Sequence, residues 1–86
     1  MPADLVTDTE IRLARIWGEI LALDSVGRGA DFFDLGGDSM LATMVALSAR
    51  REWHVEFSVR LIFDAPVLKD MAGRIDALAG PRAGNE

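Results

Sequence analysis

The sequence predicts an all-α fold: a small four-helix bundle, three long helices plus one short one, with a long first loop. Three observations predict it. Apolar residues recur every three or four positions in three separate stretches. Strand-like alternation is confined to a few residues near position 57. And 86 residues, half of them hydrophobic, suffice for one core and no more.

The first helix comes from "TDTEIRLARIWGEILAL". Thr7 stands three residues before Glu10, the pattern of a capping box. Leu13, Ile16, Trp17, Ile20 and Leu21 then form one stripe, with Arg12, Arg15 and Glu19 off it. The spacing predicts a helix from Asp8 to Leu23, and Gly18 within it marks the close approach of a neighbour. Next, "DSVGRGADFFDLGGD" reads as a long connection carrying Gly27, Gly29, Gly36 and Gly37 with Asp24, Asp31 and Asp34. Loops of such length in small domains are often functional. Val26, Phe32, Phe33 and Leu35 are expected to tuck it against the helices.

"SMLATMVALSARREW" is the second helix. At 100° per residue, Leu41, Ala42, Val45 and Ala49 share the inward arc, opposite Ser39, Met40, Thr43, Leu47 and Arg50. Met40 and Leu47 are anomalous on a face that should be polar. "HVEFSVRLIFDAP" alternates weakly at Val55, Phe57 and Val59, yet "SVRLIF" reads equally well as one or two helical turns capped by Ser58. Pro66 suits the first turn of a last helix whose Leu68, Met71, Ala72, Ile75, Leu78 and Ala79 face one way. Trp17, Phe32 or Phe33, Phe63, Val45 and Ile75 are the expected core. Residues 1–6 and 80–86 read as tails around a domain at 7–79, and the chain, starting at Met1, reads as free-standing.

A formal charge of −5 offers no basic footprint for nucleic acid or anionic membrane. There is no cysteine, so disulfides and thiolate metal sites are excluded, and no metal is expected. No apolar run has membrane-spanning length, and "MPADLVTDTE" lacks the plan of a signal peptide, which makes cytoplasmic the default location.

Chemistry concentrates at Leu35–Met40, "LGGDSM". A serine nucleophile needs a base beside it. The only histidine, His54, lies at the other end of the second helix, roughly 20 Å away at 1.5 Å per residue. The hydrolase elbow G-x-S-x-G would need glycine at Leu41, and no phosphate-loop lysine follows the glycines. An intrinsic catalyst is therefore not expected. Asp38 or Ser39 can simply cap the helix that follows, which leaves a noncovalent helical interaction domain as one reading.

The stretch "DFFDLGGDSMLATMVALSARR", however, resembles the phosphopantetheine-attachment segment of peptidyl carrier (thiolation) domains of nonribosomal peptide synthetases, part of the acyl-carrier-like superfamily. Asp31, Phe32, Phe33, Leu35, Gly36, Gly37 and Ser39 carry the resemblance. "LIFDAPVLKDMA" extends it through Phe63, Pro66, Leu68, Met71 and Ala72, as do Ile16, Trp17 and Leu21 in the first helix.

The resemblance implies a carrier without catalysis of its own. Ser39, preceded by Gly37 and Asp38 as cofactor-binding residues, would accept phosphopantetheine from coenzyme A through a phosphopantetheinyl transferase. The arm's thiol would then hold an aminoacyl or peptidyl thioester. Implied partners are that transferase, an adenylation enzyme or domain, and condensation, tailoring or thioesterase enzymes, met by a monomer. Met40, Thr43 and Leu47, with Phe32 or Phe33, would form the docking face. Arg50 and Arg51 would select partners by charge or merely suit the helix dipole.

Two residues depart from the family's usual pattern. Asp38 replaces a common histidine and is shared with polyketide and fatty-acid acyl carriers, the alternative reading. Val67 replaces a capping threonine after the proline, so that either Asp64 caps the last helix or its end frays.

Overall fold

The computed structural model describes residues 4–80, and within them the chain forms four helices: α1 (Asp8–Leu21), α2 (Ser39–Trp53), α3 (Val59–Asp64) and α4 (Leu68–Ala79). α1 packs on α2 and α4, and the short α3 bridges α2 and α4. The bundle is the one expected from the periodicity, with the long first loop running from Ala22 to Asp38.

At the start of α1 Thr7 Oγ1 accepts the Glu10 amide at 3.0 Å, as a capping box requires. The reciprocal half is shifted by one residue: Glu10 Oε1 accepts the Val6 amide at 2.8 Å instead of that of Thr7. The helix ends two residues before the expected Leu23. Ala22 adopts left-handed angles, and the amides of both Ala22 and Leu23 donate to the Gly18 carbonyl. A Cβ on Gly18 would lie 3.0 Å from the Leu23 carbonyl oxygen, so the neighbour whose approach needs this glycine is the chain's own return.

α2 has the expected bounds, and its buried face is Ala42, Val45, Ala46 and Ala49. Leu41 is only half-buried; the inward arc is rotated toward Ala46, and three alanines let α1 come close. Beyond α2, the helical reading of "SVRLIF" prevails over the strand. Ser58 sits at the N-cap of α3 with extended angles, but its hydroxyl makes no cap bond.

α4 starts later than Pro66 suggests. Val67 occupies the cap position and Leu68 is the first helical residue, so the proline precedes the helix. The cap itself comes from the first loop: Ala30 O accepts the Leu68 amide at 2.9 Å and Arg28 O accepts the Lys69 amide at 3.0 Å. Two of the amides that a helix start leaves unpaired are thus satisfied by backbone carbonyls from elsewhere in the chain. Asp64, expected to cap or leave the end frayed, instead lies 3.9 Å from Arg60. The Phe32 amide donates to Pro66 O at 2.8 Å, which completes a short antiparallel contact between residues 28–32 and 66–69.

The core is built on Leu13, Trp17, Phe32, Val45, Phe57, Ile62, Leu68, Met71 and Ile75, each fully buried. Phe63, expected inside, is 50 % exposed. Phe57 and Ile62 take the interior volume, while Phe63 stacks on Phe33 with ring centroids 5.1 Å apart. Trp17 meets the edge of Phe32 at 5.2 Å, and its indole N–H has no hydrogen-bond partner among the described residues. Asp4–Val6, read from the sequence as tail, are tied to the domain: Asp4 Oδ1 accepts the Arg28 amide, and Leu5 packs on the core. Residues 1–3 and most of the predicted C-terminal tail, 81–86, lie outside the described residues. No helix among the described residues is long and apolar enough to cross a membrane.

Candidate functional site

The loop end that carries "LGGDS" is a wound turn. Asp31 Oδ1 accepts the amides of Phe33 and Asp34 at 2.9 and 3.2 Å, an Asx turn that starts the winding. Backbone bonds continue it: Leu35 N to Asp31 O, Gly36 N to Phe33 O, and Gly37 N to Phe32 O, all between 3.0 and 3.1 Å.

The two glycines are needed for different reasons. Gly36 has φ of +105°, which side chains disfavour. Gly37 is needed for space, because a Cβ there would sit 2.3 Å from the Phe32 ring. The buried ring therefore presses directly on the backbone two residues before Ser39.

Asp38, not Ser39, is the N-cap of α2. Its Oδ1 accepts the Leu41 amide at 2.9 Å and its carbonyl accepts the Ala42 amide at 2.8 Å. Ser39 is consequently the first residue of the helix, exposed to solvent, with its hydroxyl unused by the cap. Its carbonyl accepts the Thr43 hydroxyl at 3.0 Å, which adds one more tie to the first turn. The Ser39 and Met40 amides precede any intrahelical acceptor, so the site offers free N–H groups and the positive end of the helix dipole.

Those features fit a phosphodiester on Ser39. An anion is favoured at a helix N-terminus, and Ser39 is exposed, so its hydroxyl is open to a substituent. His54 follows the last residue of α2, at the far end from Ser39, so no histidine base stands beside the serine. A surface groove lined by Leu5, Ile11, Ala14 and Val26 does not include the serine. Among the described residues no three potential metal-ligating side chains come together.

An apolar surface adjoins the serine. Met40 is 75 % exposed, Leu47 is 47 % exposed, and Thr43 lies open beside them. Met44 belongs to the same stripe at 46 % exposure. Sequence reasoning missed Met44, although its spacing of four from Met40 and three from Leu47 was a usable signal. Phe63, on α3, is half-exposed and stacks on half-buried Phe33, and no local pattern announces that contact. Phe32 must be removed from the expected docking set: it is fully buried, and its role is to support Gly37 from beneath. Arg50 donates through Nε to Phe57 O at 2.8 Å, which ties down the turn after α2.

Comparison with known proteins agrees with this geometry. The family model described as "Phosphopantetheine attachment site" matches residues 12–75. Malpibaldin synthetase of Mortierella alpina is 43 % identical over 68 residues, which is 79 % of this chain and 1 % of that protein. The chain spans only 1 % to 5 % of the length of the first curated relatives it matches.

Among solved structures, one titled "Non Ribosomal PCP domain" superposes with a TM-score of 0.75 at 41 % identity, over 81 % of this chain and 90 % of that one. A peptidyl carrier protein in complex with coenzyme A and the phosphopantetheine transferase Sfp gives 0.81 at 30 % identity, over 84 % and 94 %. With a solved domain covered almost end to end and the attachment model spanning most of the sequence, this chain belongs to the phosphopantetheine-attachment family, as a peptidyl carrier domain of the nonribosomal kind.

Proposed function

We propose that Ser39 is the residue that takes the phosphopantetheine arm, and that the domain carries and delivers a covalently held intermediate without catalysing its chemistry. The observation that supports this most strongly is the division of labour at the start of α2. Asp38 caps the helix, so the Ser39 hydroxyl is exposed yet held on a rigid first turn. In the loading step Ser39 Oγ attacks the pantetheine-bearing phosphorus of coenzyme A. An Oγ–P bond forms, the P–O bond to the nucleotide breaks, and 3′,5′-ADP leaves with the electron pair. The serine proton passes to a base supplied by the transferase, which is why the chain needs none beside Ser39. Once attached, the arm supplies a thiol that holds an acyl group as a thioester.

The chain's own residues then orient and present. The free amides of the first turn of α2 favour the phosphodiester anion. Met40, Thr43, Met44 and Leu47, with Phe63 and the exposed part of Phe33, form a modest apolar face next to the attachment point. A patch of that kind suits brief docking on successive enzymes, whereas a large one would hold a single partner. Those enzymes are the transferase, an adenylating enzyme and the condensation, tailoring or thioesterase activities that use the loaded carrier. A monomer acting in the cytoplasm, where coenzyme A is supplied, completes the reading.

Incubation with coenzyme A, magnesium and a broad-specificity transferase, followed by intact mass measurement, tests it. The expected result is the gain of one phosphopantetheinyl group by the parent and none by Ser39→Ala. A folded parent that gains nothing, or a Ser39→Ala variant that is still modified, overturns it. Loading the modified chain with amino acids by adenylating enzymes, against malonyl loading by an acyltransferase, separates peptidyl from polyketide cargo. Aminoacyl loading is expected.

A further inference from the structure

The carrier reading makes no use of one deeply buried acid. Glu10, in the first turn of α1, is 3 % exposed, and both its carboxylate oxygens are occupied. Oε1 accepts the Val6 amide at 2.8 Å and Arg28 Nε at 3.1 Å, while Oε2 accepts Arg28 Nη2 at 2.9 Å. A forked guanidinium–carboxylate contact of this kind fixes direction as well as distance.

Arg28 is held by its backbone too. Its amide donates to Asp4 Oδ1 at 2.9 Å, and its carbonyl accepts the Lys69 amide at 3.0 Å at the start of α4. Gly27 and Gly29 flank it, so the forked contact is the side-chain tie of a segment otherwise held only through its backbone. From Arg28 a continuous set of contacts leads toward the serine. Ala30 O accepts Leu68 N, Phe32 N donates to Pro66 O, Phe32 O accepts Gly37 N, and the Phe32 ring abuts Gly37.

We propose that Glu10 and Arg28 are positioning residues for the modification of Ser39. Their contact sets the register of the 28–32 segment against the start of α4, and through Phe32 and Gly37 it fixes where Ser39 is presented. The proposal rests on the reading that Ser39 is the modified residue. Breaking the pair loosens the serine-bearing end of the loop while the helices stay folded. A transferase then meets a carrier that is competent for only part of the time, which raises its apparent KM and leaves kcat in place.

Arg28→Met, Glu10→Gln and the conservative Arg28→Lys test this in the full chain with two readouts. Amide hydrogen exchange on the unmodified protein is expected to quicken by about tenfold or more at Phe32, Gly37, Leu68 and Lys69, with Val45, Ala46 and Ala49 of α2 unchanged. Transfer from coenzyme A by Sfp is expected to show a raised KM for the carrier and an unchanged kcat in Arg28→Met and Glu10→Gln, with part of the loss recovered in Arg28→Lys. Arg28 is partly exposed, so Arg28→Met carries the test if Glu10→Gln fails to fold.

Unchanged exchange at the four amides, an even loss of protection across α2, or an unchanged KM in variants with a loosened loop each overturns the proposal and leaves the carrier reading intact. A parent chain that accepts no phosphopantetheine overturns both.

Discussion

At Asp38 the carboxylate accepts the Leu41 amide, so the cap that α2 needs comes from the residue before Ser39 and the serine hydroxyl remains free. The same economy of position appears one residue earlier. Gly37 has ordinary backbone angles but no space, because the Phe32 ring occupies the volume any side chain would need, 2.3 to 2.8 Å from an added Cβ. Gly37→Ala is therefore expected to destabilise the domain by about 1–3 kcal/mol, the cost of overpacking a buried site. Gly73 gives the contrast: it lies inside α4, exposed, with nothing within 4 Å of an added Cβ. Gly73→Ala is expected to stabilise by about 0.5–1 kcal/mol through helix propensity. Denaturant midpoints of the two variants should move in opposite directions. Both glycines are plain in the sequence, but only the position of Phe32 tells them apart.

Each helix start is solved differently. α1 and α2 use side-chain caps, Thr7 and Asp38, whereas α3 and α4 have none. α4 takes its cap from Ala30 and Arg28 carbonyls, which makes its first turn dependent on the loop that leads to Ser39. Those carbonyls serve Leu68 and Lys69 only. Val67 stands at the N-cap with φ −83° and ψ 135°, angles at which a hydroxyl can reach the Asp70 amide. Val67→Thr is thus expected to stabilise by about 0.5–1 kcal/mol, read as a higher thermal midpoint. A neutral or lower midpoint would mean that the loop carbonyls already meet the needs of that turn. The Thr7 cap could be seen in the sequence as a local pattern of four residues, whereas for α2 the sequence left Asp38 and Ser39 as alternatives. The backbone cap could not be seen, because its donors and acceptors are 38 and 41 positions apart.

Across the whole molecule the aromatic residues divide between core and surface, and the division sets stability apart from docking. Phe57 is fully buried, so Phe57→Ala is expected to cost about 3–5 kcal/mol. Phe63→Ala removes a half-exposed ring stacked on Phe33 and should cost about 1 kcal/mol, while weakening transfer by the transferase more than its stability loss accounts for. Acid provides a second global test. Arg28 hydrogen bonds hold the Glu10 carboxyl below its usual 4.5, against the opposing effect of burial and with help from the Val6 amide. A carboxyl lowered in the folded state stabilises fully above its unfolded value and loses that contribution as pH falls through the lowered one. Asp4 and Asp70 also face Arg28, so the comparison is with Glu10→Gln, which leaves both in place. Between about pH 6 and pH 3 the parent should lose stability more steeply than this variant, measured by urea unfolding.

Neighbouring residues alone specify the helical class, the bounds of α2, the serine that begins it and the resemblance to carrier domains, because periodicity, capping patterns and short motifs are local. The folded chain makes Asp38 the cap and Ser39 the open hydroxyl, makes Phe32 a buried support while Phe33 and Phe63 reach the surface, and closes Glu10 on Arg28. The end of α1 and the start of α4 were settled there as well, by the Gly18 carbonyl and by the carbonyls of Arg28 and Ala30. In each case, apart from the local caps at Asp38 and Gly18, the deciding partner is remote in sequence. Equivalent candidates such as the two adjacent phenylalanines become distinct only when packing leaves room for one of them inside.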